Sequence, residues 1–320
     1  MIDNHKAIGK AKRRPWLDAL RGFCMFLVVY MHISNFSIGL GASESAVMQV
    51  VFTCFLSTFY FISGYVSHKD SEIWTARHAL LKLKDKFQQL IIPAVVFYVL
   101  YQMCKGEGLF AWMEKGFQGY WFLIVLFEVF VVYYMVSMIS QQLSGGKFFV
   151  GTLMVVTVVL VFIPSVLSLS TRMRNILSIV NFTTYMPFFA IGVASKIYQN
   201  FFEKILRSEW LFALGLVAFV VIEWFICSAH STDMYVVYGK VGYVMQMSVK
   251  YIATYLLVSL FFRNSEVWES ETMLAKSLCF WVNERWTCIF CIGSLFHLFS
   301  CCMFMWKEGI IRYWKSYLRA

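Results

Sequence analysis

Residues 13–34, RRPWLDALRGFCMFLVVYMHIS, decide the fold. Two arginines and a proline open the stretch. An apolar run then extends from about Leu17 to Phe36, and its only acidic, basic or imidazole side chains are Asp18, Arg21 and His32. A helix needs about 20 mainly apolar residues to cross the hydrocarbon core of a bilayer, and this run supplies them. A basic start followed by an apolar run also resembles a signal peptide. The run is long for that, and no small-residue cleavage site follows it, so it reads as a retained first span.

The rest of the chain repeats the theme. Of its 320 residues, 60% are hydrophobic, 19% aromatic and only 14% charged, and the mean hydropathy is +0.65. A soluble domain carries roughly 25% charged residues. This composition excludes an ordinary cytosolic enzyme, a disordered tail and a coiled coil. Nine apolar runs lie near 17–36, 47–66, 90–104, 119–140, 148–168, 176–197, 209–228, 241–262 and 280–305. The third is short, and the basic segment 73–89 before it reads as an interfacial helix leading into the span, with Pro93 bending the chain. No internal repeat or separate soluble domain is visible.

Charge sets the orientation. With the N-terminus in the cytoplasm, seventeen Lys and Arg fall in cytoplasmic segments and five in the opposite ones, counted up to the last span. That is the bias expected of a membrane protein. The expected fold is therefore all-α: a polytopic transmembrane helix bundle of about 9–10 spans with a cytoplasmic N-terminus. Its parts are a basic N-terminus (1–14), a membrane domain (15–306) and a basic tail (307–320). With nine spans the tail would fall outside, against the rule, so a tenth crossing is an open alternative. The net charge of +10 belongs to these segments and implies no nucleic-acid partner. The nine cysteines lie in or beside apolar runs and read as small buried hydrophobes. Cys288 and Cys291 form a lone CxxC with no second pair at zinc spacing, so no metal site is expected.

Ionisable residues inside a membrane are expensive and mark function by default. Arg21 and His32 are eleven residues apart, which on a helix is three turns plus about 20° with a rise of about 16 Å. They share one face, and Asp18 stands one turn before Arg21, placed to neutralise it. Such a face suits a catalytic cleft or a water-filled passage. It equally suits an anchoring arginine with a histidine bonded to a neighbouring carbonyl. Glu128, Glu223 and Lys250 also lie within apolar runs and form a second candidate polar set, although Glu223 and Lys250 can also be read as a structural pair between adjacent helices. His297 reads more readily as a core histidine than as a site residue. Lys82, Lys84 and Lys86 are suited to anionic lipid headgroups or to a phosphate-bearing donor.

These segments together resemble the acyltransferase-3 family of membrane acyltransferases. Arg21, ten residues and His32 match its first-helix mark within W-L-D-x-L-R-G. FYFISGY (59–65), LKLKDKFQQLIIPAVVFY (81–98), GYWFLIVLF (119–127) and PFFAIGVASKIY (187–198) resemble further segments in the family's order. The resemblance spans about 15–305. It implies transfer of an acyl group, commonly acetyl from acetyl-CoA, to a hydroxyl of a carbohydrate or glycolipid. Such a protein would sit in the plasma (inner) membrane and use acyl-CoA as donor substrate, with no permanently bound cofactor. It further implies His32 and Arg21 as catalytic residues, Asp18 as support, and Lys82, Lys84 and Lys86 on the donor. The sequence departs from the family twice. Lys86 and Gln89 stand where Arg-x-x-Arg is common, and the last run carries Gly293 near the expected histidine. A multi-pass transporter or flippase and a catalytically inactive relative are the competing readings.

Overall fold

The computed structural model describes residues 14–38, 45–69, 72–105, 117, 120–166, 173–174, 178–229 and 234–269. Within them, all regular structure is helical. Helix α1 (Pro15–His32) runs into a π-helical turn at Ile33–Ile38, and α2 (Ala46–Ser67) follows. Then come α3 (Ala76–Lys86), a second π turn (Phe87–Ile91) and α4 (Ile92–Lys105). The remainder is α5 (Trp121–Ser144), α6 (Phe149–Val166), α7 (Ile179–Ile197), α8 (Gln199–Arg207), α9 (Glu209–Ser228), α10 (Met234–Arg263) and the short α11 (Ser265–Glu269).

Among the described residues, five helices are long and apolar enough to cross a membrane: α1, α2, α5, α9 and α10. Three further expected runs form α4, α6 and α7, of 14, 18 and 19 residues. The run at 280–305, with His297 and the CxxC, lies outside the described residues, as does the basic tail. The segment expected to be interfacial forms α3, none of whose residues is fully buried. It enters α4 through the second π turn, where the Ile92 N–H donates to the carbonyl of Phe87, five residues back. Pro93 explains this. It has no N–H to continue the regular ladder, so the backbone widens just before it.

Helix α2 is the spine of the bundle, with most of its residues buried. Lipid offers helices no hydrophobic drive to associate, so close backbone packing must hold them. The α2–α7 crossing shows how. A methyl built on Gly64 would stand 2.1 Å from the Phe189 carbonyl oxygen, and one on Gly192 would stand 2.1 Å from that of Phe61. Each glycine lets the other helix's backbone rest where a side chain would be. Aromatic rings fill the space beside this seam. Tyr60 stacks on Tyr185 at 4.9 Å, Tyr185 on Trp121 at 5.8 Å, and Phe188 on Tyr251 at 4.3 Å. Such contacts are worth about 0.5–1.5 kcal/mol each beyond area burial. Helix α9 presents the opposite character, with Trp210, Leu214, Val217 and Trp224 exposed, as suits a helix facing lipid.

Polar ties gather at one end of the bundle. Arg14, just before α1, donates to the Tyr65 hydroxyl near the end of α2 and to Gln199 Oε1 at the start of α8, the latter at 2.8 Å. Ser259 and Arg263 near the end of α10 both donate to the Leu206 carbonyl, at 2.8 and 2.9 Å, capping α8. The alternation of spans assigns these same segments to one side.

Candidate active site

The chemistry-bearing face starts on α1. Asp18 Oδ1 lies 3.7 Å from Arg21 Nη1, one helical turn apart, and both side chains are close to nine-tenths buried. His32, on the last residue of the same helix, is 9% exposed. Both ends of the stripe therefore turn into protein. A π turn, Ile33–Ile38, follows directly after His32; π-helical turns are often found at functional sites.

Around Arg21 the neighbouring helices leave a cavity of about 270 Å³. Helix α2 contributes Ser63 and Ser67, α3 contributes Lys82 and Lys86, and Gln89 comes from the second π turn. Lys69 and Glu72 enter from the segment between α2 and α3, while Phe130 and Tyr134 of α5 form an aromatic wall. Lys86 Nζ rests over the Phe130 ring at 4.5 Å, a cation–π contact. Burial, reinforced by the charges of Arg21 and Lys82 and opposed by Asp85, pushes the Lys86 ammonium down to about 8. Four cations thus share a small chamber with a single carboxylate. A concave, partly dehydrated group of Lys and Arg is what a phosphate or other anion requires.

The carboxylate is Glu72. Its Oε1 lies 2.9 Å from Lys82 Nζ and 3.4 Å from His78 Nε2. Burial works to raise its pKa, but the hydrogen bond and charge of Lys82, the charge of Lys69 and the hydrogen bond of His78 hold it below the usual carboxylate range. Trp74, buried and stacked on Tyr134 at 5.2 Å, anchors this segment to α5.

The structure thus gathers Arg21, Lys82 and Lys86 at one cavity, with His32 about three turns along the same helix. It does not bring in Lys84, which points outward and is exposed. Three residues at helical spacing cannot all face one way: 82 and 86 are four apart, and 84 lies on the far side. Nor does the second polar set assemble. Glu128 sits half-buried on α5. Glu223 of α9 is buried beside Thr53 of α2. Lys250 of α10 holds its ammonium over the Tyr185 ring at 5.4 Å. Among the described residues, no ion pair joins Glu223 to Lys250. Lysine 69, Glu72, Trp74 and Tyr134 were not legible as site residues. The first three fall in a short non-periodic connection and Tyr134 in an aromatic-rich span, so only tertiary contact marks them.

Comparison with curated proteins and with solved structures gave no match. An acyltransferase domain family matches residues 14–292, a range that takes in the first-helix Arg–His stripe, the cation cavity and all eight described helices from the nine apolar runs. The chain belongs to the acyltransferase-3 family of integral membrane acyltransferases.

Proposed function

We propose that this acyltransferase is an O-acetyltransferase of the plasma membrane, moving an acyl group from acyl-CoA to a hydroxyl of a carbohydrate or glycolipid. The observation that carries this reading is the cation cavity at one end of a buried α1 stripe whose other end is His32. The donor's phosphates dock among Arg21, Lys82 and Lys86, and its pantetheine arm runs along the stripe towards the imidazole. Asp18 holds Arg21 in place. Lys84, outside the cavity, attracts the anionic donor or lipid headgroups from a distance.

At the reacting end, His32 takes the proton from the acceptor hydroxyl as its oxygen attacks the thioester carbonyl carbon. An ester C–O bond forms and the C–S bond breaks. The proton passes from the imidazolium to the departing coenzyme A thiolate. A histidine suits both transfers because its ordinary pKa lies near neutrality. The donor is consumed as a substrate, and the reaction calls for no resident cofactor.

Mass spectrometry of surface glycans and glycolipids from cells with and without the protein tests this. The expected result is an acetyl mass increment, about 42 Da per ester, that disappears with the protein and with His32→Ala. Identical acetylation in all three would reject the reading. Movement of an unmodified substrate without acyl-CoA would favour a transporter.

A further inference from the structure

We propose that Glu72 is the cavity's built-in counter-anion: its carboxylate occupies Lys82 where an anionic group of the donor docks, and a donor must displace it to bind. This rests on the reading of the cavity as the donor site. Among the residues lining the chamber, Arg21, Lys69, Lys82 and Lys86 are cationic and Glu72 alone is anionic. Its contact with Lys82 is short, 2.9 Å, and its side chain is only 15% exposed. The backbone around it is tied to its neighbours. The Glu72 N–H donates to the Lys69 carbonyl at 3.2 Å, and buried Trp74 pins the next residues against Tyr133 and Tyr134. His78, on the first turn of α3, closes the far side at 3.4 Å and packs edge-on to Trp74.

Asp18 and Asp85 offset Arg21 and Lys86 from outside the chamber, but within it four cations face one another with little water to screen them and only Glu72 to balance them. One carboxylate does so only in part. A phosphate carries about −1.5 to −2 charge and three acceptor oxygens, so it can outcompete a single carboxylate on the same lysine. The carboxylate therefore sets a threshold. Neutral or weakly anionic molecules leave the Glu72–Lys82 pair intact, whereas phosphate-bearing donors replace it. Glu72 in this role is a specificity residue that acts through Lys82 and touches no reacting atom.

The test is a titration of the detergent-purified full-length protein and its Glu72→Gln variant with coenzyme A and with pantetheine, which lacks the nucleotide phosphates. Thermal melting establishes that each variant is folded. Glutamine keeps the shape and removes the charge. The expected result is coenzyme A binding tightened about fivefold, the effect of removing roughly 1 kcal/mol of ion-pair competition. Pantetheine affinity should be unchanged, and Glu72→Asp should fall in between. Lys82→Ala should shift coenzyme A the opposite way. Coenzyme A binding that is equal or weaker in Glu72→Gln would overturn the counter-anion role alone. Binding of coenzyme A by neither protein would overturn the donor-site reading, and this inference with it.

Discussion

One short motif, FYFISGY in residues 59–65, serves two regions built on opposite requirements. At the α2–α7 seam, Gly64 leaves no room for even a methyl group, because the Phe189 carbonyl lies 2.1 Å from where it would be. One residue earlier, Ser63 faces a chamber of about 270 Å³. The seam is closed, apolar and held by backbone contact. The chamber is open, cationic and bordered by side chains from α1, α2, α3 and α5. Their proximity on α2 is informative: the seam fixes α2 rigidly enough for its other face to support a site that packing alone would collapse.

The comparison breaks most severely at the seam. Gly64→Leu or Gly192→Leu places a side chain into the opposing backbone, where nothing flexible can yield. Overpacking in a core typically costs about 1–3 kcal/mol, and contact with a fixed carbonyl lies at or beyond the upper end. Detergent-extracted variants are expected to show a sharp loss of folded protein by size-exclusion chromatography and melting. Normal melting would mean that the helices separate freely and that the seam is not the support. In the chamber, by contrast, Arg21→Ala should leave folding near normal. It should raise KM for acetyl-CoA by roughly 10- to 100-fold, the effect of losing a partly buried charge-assisted contact of about 1.5–3 kcal/mol. Steady-state kinetics in proteoliposomes reads this directly; an unchanged KM would remove Arg21 from donor binding.

A pH series sharpens the same point with a smaller effect. Burial and the fields of Arg21 and Lys82, with Asp85 opposing, bring Lys86 down to about 8. A bound anion stabilises its protonated form, so donor affinity should fall as pH rises through about 8. Lys86→Arg, which stays charged, should abolish the fall; a fall that persists would assign it elsewhere. Smallest of all is Lys84→Ala. Its ammonium lies outside the chamber, so the loss should be less than about twofold in kcat/KM at moderate salt, consistent with screening of exposed charges.

Much of the fold was legible because bilayer physics writes itself along the chain. Eight of the nine apolar runs form helices, and the basic segment before Pro93 forms a helix, as expected, joined to the next span through a π turn that the sequence did not announce. The Asp18–Arg21 contact and the common face of Arg21 and His32 followed from helical spacing, whereas the burial of that face came only with the packed helices. The lysine cluster divided in a way that spacing could have predicted, since 84 cannot share a face with 82 and 86. Two features were not legible. The Gly64–Gly192 reciprocity needs both helices in place, because a lone glycine in an apolar run carries no sign of its partner. Glu72 and Trp74 lie in a connection without periodicity, and their importance exists only once α3 folds back along α5. The polar residues Glu128, Glu223 and Lys250 looked like a set because membranes penalise each of them. The fold leaves them apart: Lys250 meets the Tyr185 ring, Glu223 lies beside Thr53, and Glu128 stays half-buried on α5.

The most direct test of the central claim, that the two ends of α1 divide one reaction between donor binding and chemistry, is a kinetic comparison in proteoliposomes. Coenzyme A release from acetyl-CoA, in the presence of acceptor, is followed for the wild type, Arg21→Ala and His32→Ala. The account predicts that Arg21→Ala raises KM with kcat less affected, while His32→Ala lowers kcat by about 10²–10⁴-fold at near-normal KM. Retention of kcat in folded His32→Ala protein would contradict it.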